Sequence, residues 1–223
     1  MSYEIRYDLL QPWSTFVMKT ELPPDILEKM LRITDEIIEN DEANGIDPTT
    51  GSKVGAGQLE DQFFIDLKIL EREEISQYFL DVCTHYVKLA FDQSKPSEIQ
   101  EGIHAWPTSM WINSQKDNEY FSMHDHANCA MSSSMYLKIP ESLPDRKNYK
   151  DSVPEDGSIV FINNTSTDNI WARSEFYIQP QVGDFFIFPA AQKHLVYPFR
   201  TADGKGERRS VSFNATFTSK SNK

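Results

Sequence analysis

The 223-residue chain is predicted to be a mainly β protein with N-terminal helices, a double-sheet jelly roll with the helices packed on one outer face. Two observations predict this. From about Gly102 onward, strand-sized runs rich in aromatic and β-branched residues follow one another without a helical stretch between them. Before that point, apolar residues recur at helical spacing instead. The chain is long enough for one domain with a sizeable core, and it shows no internal repeat or low-complexity tract. A single domain over 1–223 is expected, with 1–100 as mostly helical support and 101–218 as the β core.

Pro23-Pro24-Asp25 sets up the first helix, and Ile26, Leu27, Met30, Leu31, Ile33, Ile37 and Ile38 supply its apolar stripe. Asn44-Gly45 and the following DPTTGSKVGAG segment end it in a loop. A second helix is predicted from about Glu71 to Asp92. Its stripe is Ile75, Phe79, Val82, Tyr86, Leu89 and Phe91, with Glu71, Glu73 and Glu74 at the dipole-favoured N-terminal end. The strands are then IHAWPTSMWIN, AMSSSMYLKI, GSIVFIN, SEFYIQPQ, GDFFIFP, HLVYPFR and RRSVSFNATF. ESLPDRKNYKDSVPEDG is a polar connection, and Asp203-Gly204-Lys205-Gly206 reads as a hairpin turn between the last two strands. Such a series closes most simply as two packed sheets.

A net charge of -12 and a pI near 4.8 disfavour nucleic acid and anionic membranes, which select basic patches. The N-terminus is a poor signal peptide, and no stretch approaches the roughly 18 apolar residues of a membrane span. Cys83 and Cys129 form no C-x-x-C motif and read as free thiols in a reducing compartment. A cytoplasmic protein is expected.

The chemistry lies in His124-Asp125-His126, His194 and the pair Arg208-Arg209 ahead of Ser210. In a strand, residues two apart share a face, so His124 and His126 converge while Asp125 faces away. His194, at the start of a later strand, is the best third ligand. Imidazoles suit Fe(II), Zn(II), Cu(II) or Ni(II), so ligand type does not name the metal. A bulge would let Asp125 replace His126 as a ligand, but parity favours His126. An H-x-H pair alone is more often a surface pair, and His85 and His104 need no function. In the final strand Arg208 and Ser210 share one face and Arg209 and Val211 the other. An arginine in a cavity holds a carboxylate by charge-assisted hydrogen bonds, whereas on a hairpin leg both arginines would simply be solvated.

Trp111-Ile112-Asn113, His124-Asp125-His126, SSSMYLKIP with Tyr136-Leu137, GDFFIFPAAQKHLVYP and RRSVSFN occur in this order. This set resembles the 2-oxoglutarate/Fe(II)-dependent oxygenase superfamily, in particular a group with a Trp-x-Asn…His-x-His…Tyr-Leu…His…Arg-x-Ser signature. The resemblance covers about Trp111 to Asn214. It implies a double-stranded β-helix that holds Fe(II), takes 2-oxoglutarate and O2 as co-substrates, and hydroxylates a C–H bond with release of succinate and CO2. It would make His124 and His194 metal ligands, and Arg208 with Ser210 the seat of the distal carboxylate. Tyr136 stands where some relatives bond that carboxylate, although a strand tyrosine is more often packing, and Asn113 and Trp111 share a strand face and either line the same cavity or fill the core. The superfamily usually has a carboxylate two residues after the first histidine. Here that position is His126, which leaves the metal one negative charge short.

Two other readings stay open. One is a three-histidine cupin-type dioxygenase or isomerase that needs no 2-oxoglutarate. The other is a non-catalytic jelly-roll binding module whose helical half is a partner surface, for instance in a homodimer. As an enzyme, the protein would act on a small molecule, a peptide or a protein side chain. Loops at Asp151–Asp156 and Asp203–Gly206 are candidate lids, because jelly-roll mouths are framed by loops.

Overall fold

A computed structural model describes residues 3–10, 16–40, 61–94, 100–140, 156–163 and 174–221, and every structural statement below concerns these. The elements are β1 (Tyr7–Leu10), β2 (Val17–Glu21), α1 (Pro24–Asn40), β3 (Asp61–Phe64), α2 (Leu67–Arg72), α3 (Ser76–Ser94), β4 (Gln100–Lys116), β5 (Phe121–His124), β6 (Met131–Lys138), β7 (Ile159–Ile162), β8 (Glu175–Ile178), β9 (Asp184–Pro189), β10 (His194–Val196) and β11 (Glu207–Ser221). They form two antiparallel sheets, β1-β2-β9-β6-β11-β4-β3 and β5-β10-β7-β8, so the predicted two-sheet jelly roll is the observed fold.

Strand alternation sorts the side chains into two cores. In β9, Phe185 and Ile187 join the larger cluster with Ile26, Met30, Phe79 and Val82 of the helices. Phe186 and Phe188 point the other way, into a smaller cluster with Tyr136, Ile159 and Phe161. Phe79 of α3 meets Phe213 of β11 edge-on at 6.1 Å, which fixes the helices on the outer face of the seven-stranded sheet. The opposite face looks toward the four-stranded sheet, and the candidate site lies between them.

The described part of the first hundred residues carries three helices and also strands that the sequence did not announce. β1, β2 and β3 lie there and extend the large sheet, β2 against β9 and β3 against β4. They are only four or five residues long, too short for a period-2 signal to stand out, and the same holds for β5. The second predicted helix is really two, α2 and α3. Glu73 and Glu74 occupy the link rather than a first helical turn, and Glu74 adopts a left-handed φ of 58°. The turn at Asp203–Gly206 is not a hairpin, because β10 and β11 belong to different sheets and the segment crosses between them. Gly206 is required there: an added Cβ would lie 2.3 Å from Thr201 Cγ2. The predicted loop after α1 and residues 141–155 of the polar connection, including all of the candidate lid at Asp151–Asp156 but its last residue, lie outside the described residues. Cys83 and Cys129 are free, and no described helix is long and apolar enough to cross a membrane.

Candidate active site

β5 and β10 place His124 and His194 directly opposite each other. β5 ends at His124, so His126 lies beyond the strand and strand parity does not orient it. Its backbone N–H instead donates to the Ala190 carbonyl at 2.9 Å, tying the turn to the end of β9. The outcome is still convergence. The ring centroids of His124, His126 and His194 lie 4.2–5.3 Å apart, and one nitrogen from each falls within 4.8 Å of the others. Asp125 is exposed and is not part of this group.

The nitrogens suit a metal. His124 Nδ1 sits 2.7 Å from the Ser122 carbonyl and His194 Nδ1 3.0 Å from that of Gln192. A carbonyl can only accept, so each neutral ring carries its proton on Nδ1 and leaves the Nε2 lone pair free. Gln192 is itself anchored, donating from Nε2 to the carbonyls of Ile162 and Lys193. Burial lowers all three histidine pKa values, reinforced at His126 and His194 by neighbouring imidazoles. His126 falls to about 4 and His194 well below the usual range, so the rings are neutral at pH 7, as ligation requires. Aromatic walls close around them: Trp111 lies 6.0 Å from His126 and Phe188 4.7 Å from His194.

From this cluster a polar strip runs along β11 and β4. The register pairs Ser212 with Trp111, Ser210 with Asn113 and Arg208 with Gln115, while Tyr136 of β6 lies opposite Ser210. Asn113 Nδ2 donates to Ser212 Oγ (3.3 Å) and Ser210 Oγ (3.5 Å), and its Oδ1 accepts from Gln62 Nε2 at 2.7 Å. Tyr136 is fully buried, and burial raises its pKa against the pull of the Arg208 charge, so the phenol stays neutral.

Arg208 is 3% exposed. Its guanidinium donates from Nη1 to the Gly157 carbonyl, and from Nη2 to Gln115 Oε1 (2.6 Å) and the Tyr197 carbonyl (3.0 Å), with Phe199 at 5.4 Å. These partners are all neutral, and among the described residues no carboxylate pairs with it. Burial lowers its pKa to about 10, which still leaves it charged at neutral pH. Gln115, Gln62 and Gln192 escaped the sequence reading. Only Gln115 left a trace there, because it shares the strand face of Trp111 and Asn113.

Three neutral imidazoles gathered between the sheets of a jelly roll form a donor set that could hold a metal ion. Residues 109–214, just under half the chain, match the family described as "Putative 2OG-Fe(II) oxygenase". A comparison with curated protein sequences finds no match. Among solved structures, the chain is similar to a prolyl-4-hydroxylase from Pseudomonas putida (TM-score 0.52, 15% identity, covering 89% of this chain and 91% of that one). It is also similar to a Trichoplax adhaerens prolyl hydroxylase in complex with a hypoxia inducible factor peptide fragment (TM-score 0.55, 11% identity, 91% and 83% covered). A third is the alpha ketoglutarate dependent epimerase SnoN from nogalamycin biosynthesis (TM-score 0.52, 13% identity, 90% and 78% covered). At these identities the likeness concerns the fold.

Proposed function

We propose that the protein is an Fe(II)- and 2-oxoglutarate-dependent oxygenase that hydroxylates a substrate C–H bond. The observation that carries this reading is the polar strip from three converging imidazoles to a buried arginine without a described counter-ion. His124, His126 and His194 would hold the metal. Arg208 would take the distal carboxylate of 2-oxoglutarate, with the Ser210 and Tyr136 hydroxyls beside it and Asn113 holding Ser210 in place. When bound, metal and co-substrate supply the oxidation: O2, 2-oxoglutarate and R–H give R–OH, succinate and CO2. The chain's own contribution is positional. Backbone hydrogen bonds orient two imidazoles, Arg208 and Ser210 aim the co-substrate, and Trp111, Phe161 and Phe188 keep water from the rings.

The prolyl hydroxylases and the epimerase among the structural neighbours act on very different molecules, so either a peptide or a small metabolite suits this fold. A net charge of -12 speaks against nucleic acid as substrate. The test is conversion of 2-oxoglutarate to succinate by protein supplied with Fe(II), ascorbate and O2. Turnover should be lost in His194→Ala and in Arg208→Ala. Absence of succinate, together with unchanged metal content in His194→Ala, would refute the assignment. The all-imidazole donor set also favours a second reading, a three-histidine dioxygenase without 2-oxoglutarate. That reading gains if Arg208→Ala leaves activity and ligand binding untouched.

A further inference from the structure

Among the described residues, the three histidines and Arg208 together leave the site short of negative charge. His124, His126 and His194 are neutral, so a divalent ion seated on them would meet no protein carboxylate within the ligand group. Asp125, the nearest acid in sequence, is exposed, and its charge acts through solvent. Arg208 adds a second buried positive charge whose partners among the described residues are carbonyl, amide and aromatic groups. Ser212, the partner of Trp111 beside His126, lies four positions after Arg208 on β11. That is a Cα separation of roughly 13 Å, short enough for two poorly screened buried charges to repel.

Resting on the co-substrate reading above, we infer that metal and co-substrate load as a pair: the dianion supplies the charge that the ligand set lacks, and the metal is held weakly until it arrives. By linkage, each raises the affinity of the other by the same factor. Because His126 brings no negative charge to the donor set, this coupling is larger than direct chelation alone produces. Loss of the dianion then releases the metal, and occupancy of the centre follows the supply of 2-oxo dicarboxylate.

The measurement is Mn(II) binding, followed by the free-ion electron paramagnetic resonance signal, with and without the unreactive dianion N-oxalylglycine. The wild-type protein is compared with His126→Asp, whose carboxylate restores the missing charge. N-oxalylglycine should tighten Mn(II) in the wild type by a factor roughly tenfold larger than in His126→Asp, within the usual span of site–site coupling. Should that variant not fold, the wild type supplies a second arm. Pyruvate offers the same chelating 2-oxo acid without the distal carboxylate, and it should tighten Mn(II) roughly tenfold less than N-oxalylglycine. Equal factors in the two proteins, or for the two ligands, overturn paired loading while leaving the co-substrate reading intact. If N-oxalylglycine does not change Mn(II) affinity in either protein, the co-substrate reading falls as well.

Discussion

Arg208 and Arg209 are chain neighbours on opposite faces of β11, both nearly fully buried, and they live in opposite electrostatic worlds. On the helix side, Arg209 donates to Asp35 Oδ1 at 2.5 Å, to Thr34 Oγ1 at 3.1 Å and to Glu207, while Lys138 also reaches Asp35. On the inner side, the partners of Arg208 among the described residues are all neutral. One arginine is a finished piece of structure. The other is a buried cation with no carboxylate partner among the described residues. A buried cation without a counter-ion carries a desolvation cost, and a bound dianion would offset it.

This contrast can be broken in several places. The largest effect is expected at the metal: His194→Ala should lower metal affinity by more than the roughly 10–100-fold typical of losing a supporting partner, read by metal content after anaerobic loading. Next is pH. The folded His126 pKa of about 4 lies below its ordinary 6.5, so the unfolded chain binds the proton more readily. Stability of the metal-free protein should therefore fall as pH drops from 6.5 toward 4, by on the order of 3 kcal/mol in urea titrations. Across the sheet, hydrogen bonds and ion pairs outweigh burial and hold the Asp35 and Glu207 carboxyls below their ordinary 3.8 and 4.5. Their contribution is complete above those values and is lost only in more acidic solution, so the two faces should fail in separate windows.

The arginines themselves come third. Arg208→Met should raise the KM for 2-oxoglutarate roughly 10–100-fold, the equivalent of one charge-assisted hydrogen bond, with little loss of stability. Arg209→Met should do the reverse, costing about 2 kcal/mol in unfolding while leaving that KM nearly unchanged. Smallest is Gln115→Met, which removes a 2.6 Å acceptor from the guanidinium. It should raise the KM for 2-oxoglutarate by roughly threefold with kcat preserved, the mark of a positioning residue.

Much of this was legible in the sequence. The aromatic strand runs announced the two-sheet core, and parity alone put Arg208 with Ser210 and Arg209 with Val211 on opposite faces. Burial of the two arginines was not legible, because their partners come from far along the chain: Asp35 is 174 residues from Arg209, and Gln115 is 93 from Arg208. Strands of four or five residues gave no readable period. His126 points inward as parity suggests, though its position is set by the Ala190 carbonyl after β5 has ended, and no local pattern records that bond.

The most direct test is a crystal structure with Mn(II) and N-oxalylglycine, with the metal located by anomalous scattering. The account predicts one peak within bonding distance of His124, His126 and His194, and the analogue reaching from it to Arg208 and Ser210. A metal bound through Asp125 with His126 turned away, or an analogue that leaves Arg208 untouched, would contradict it.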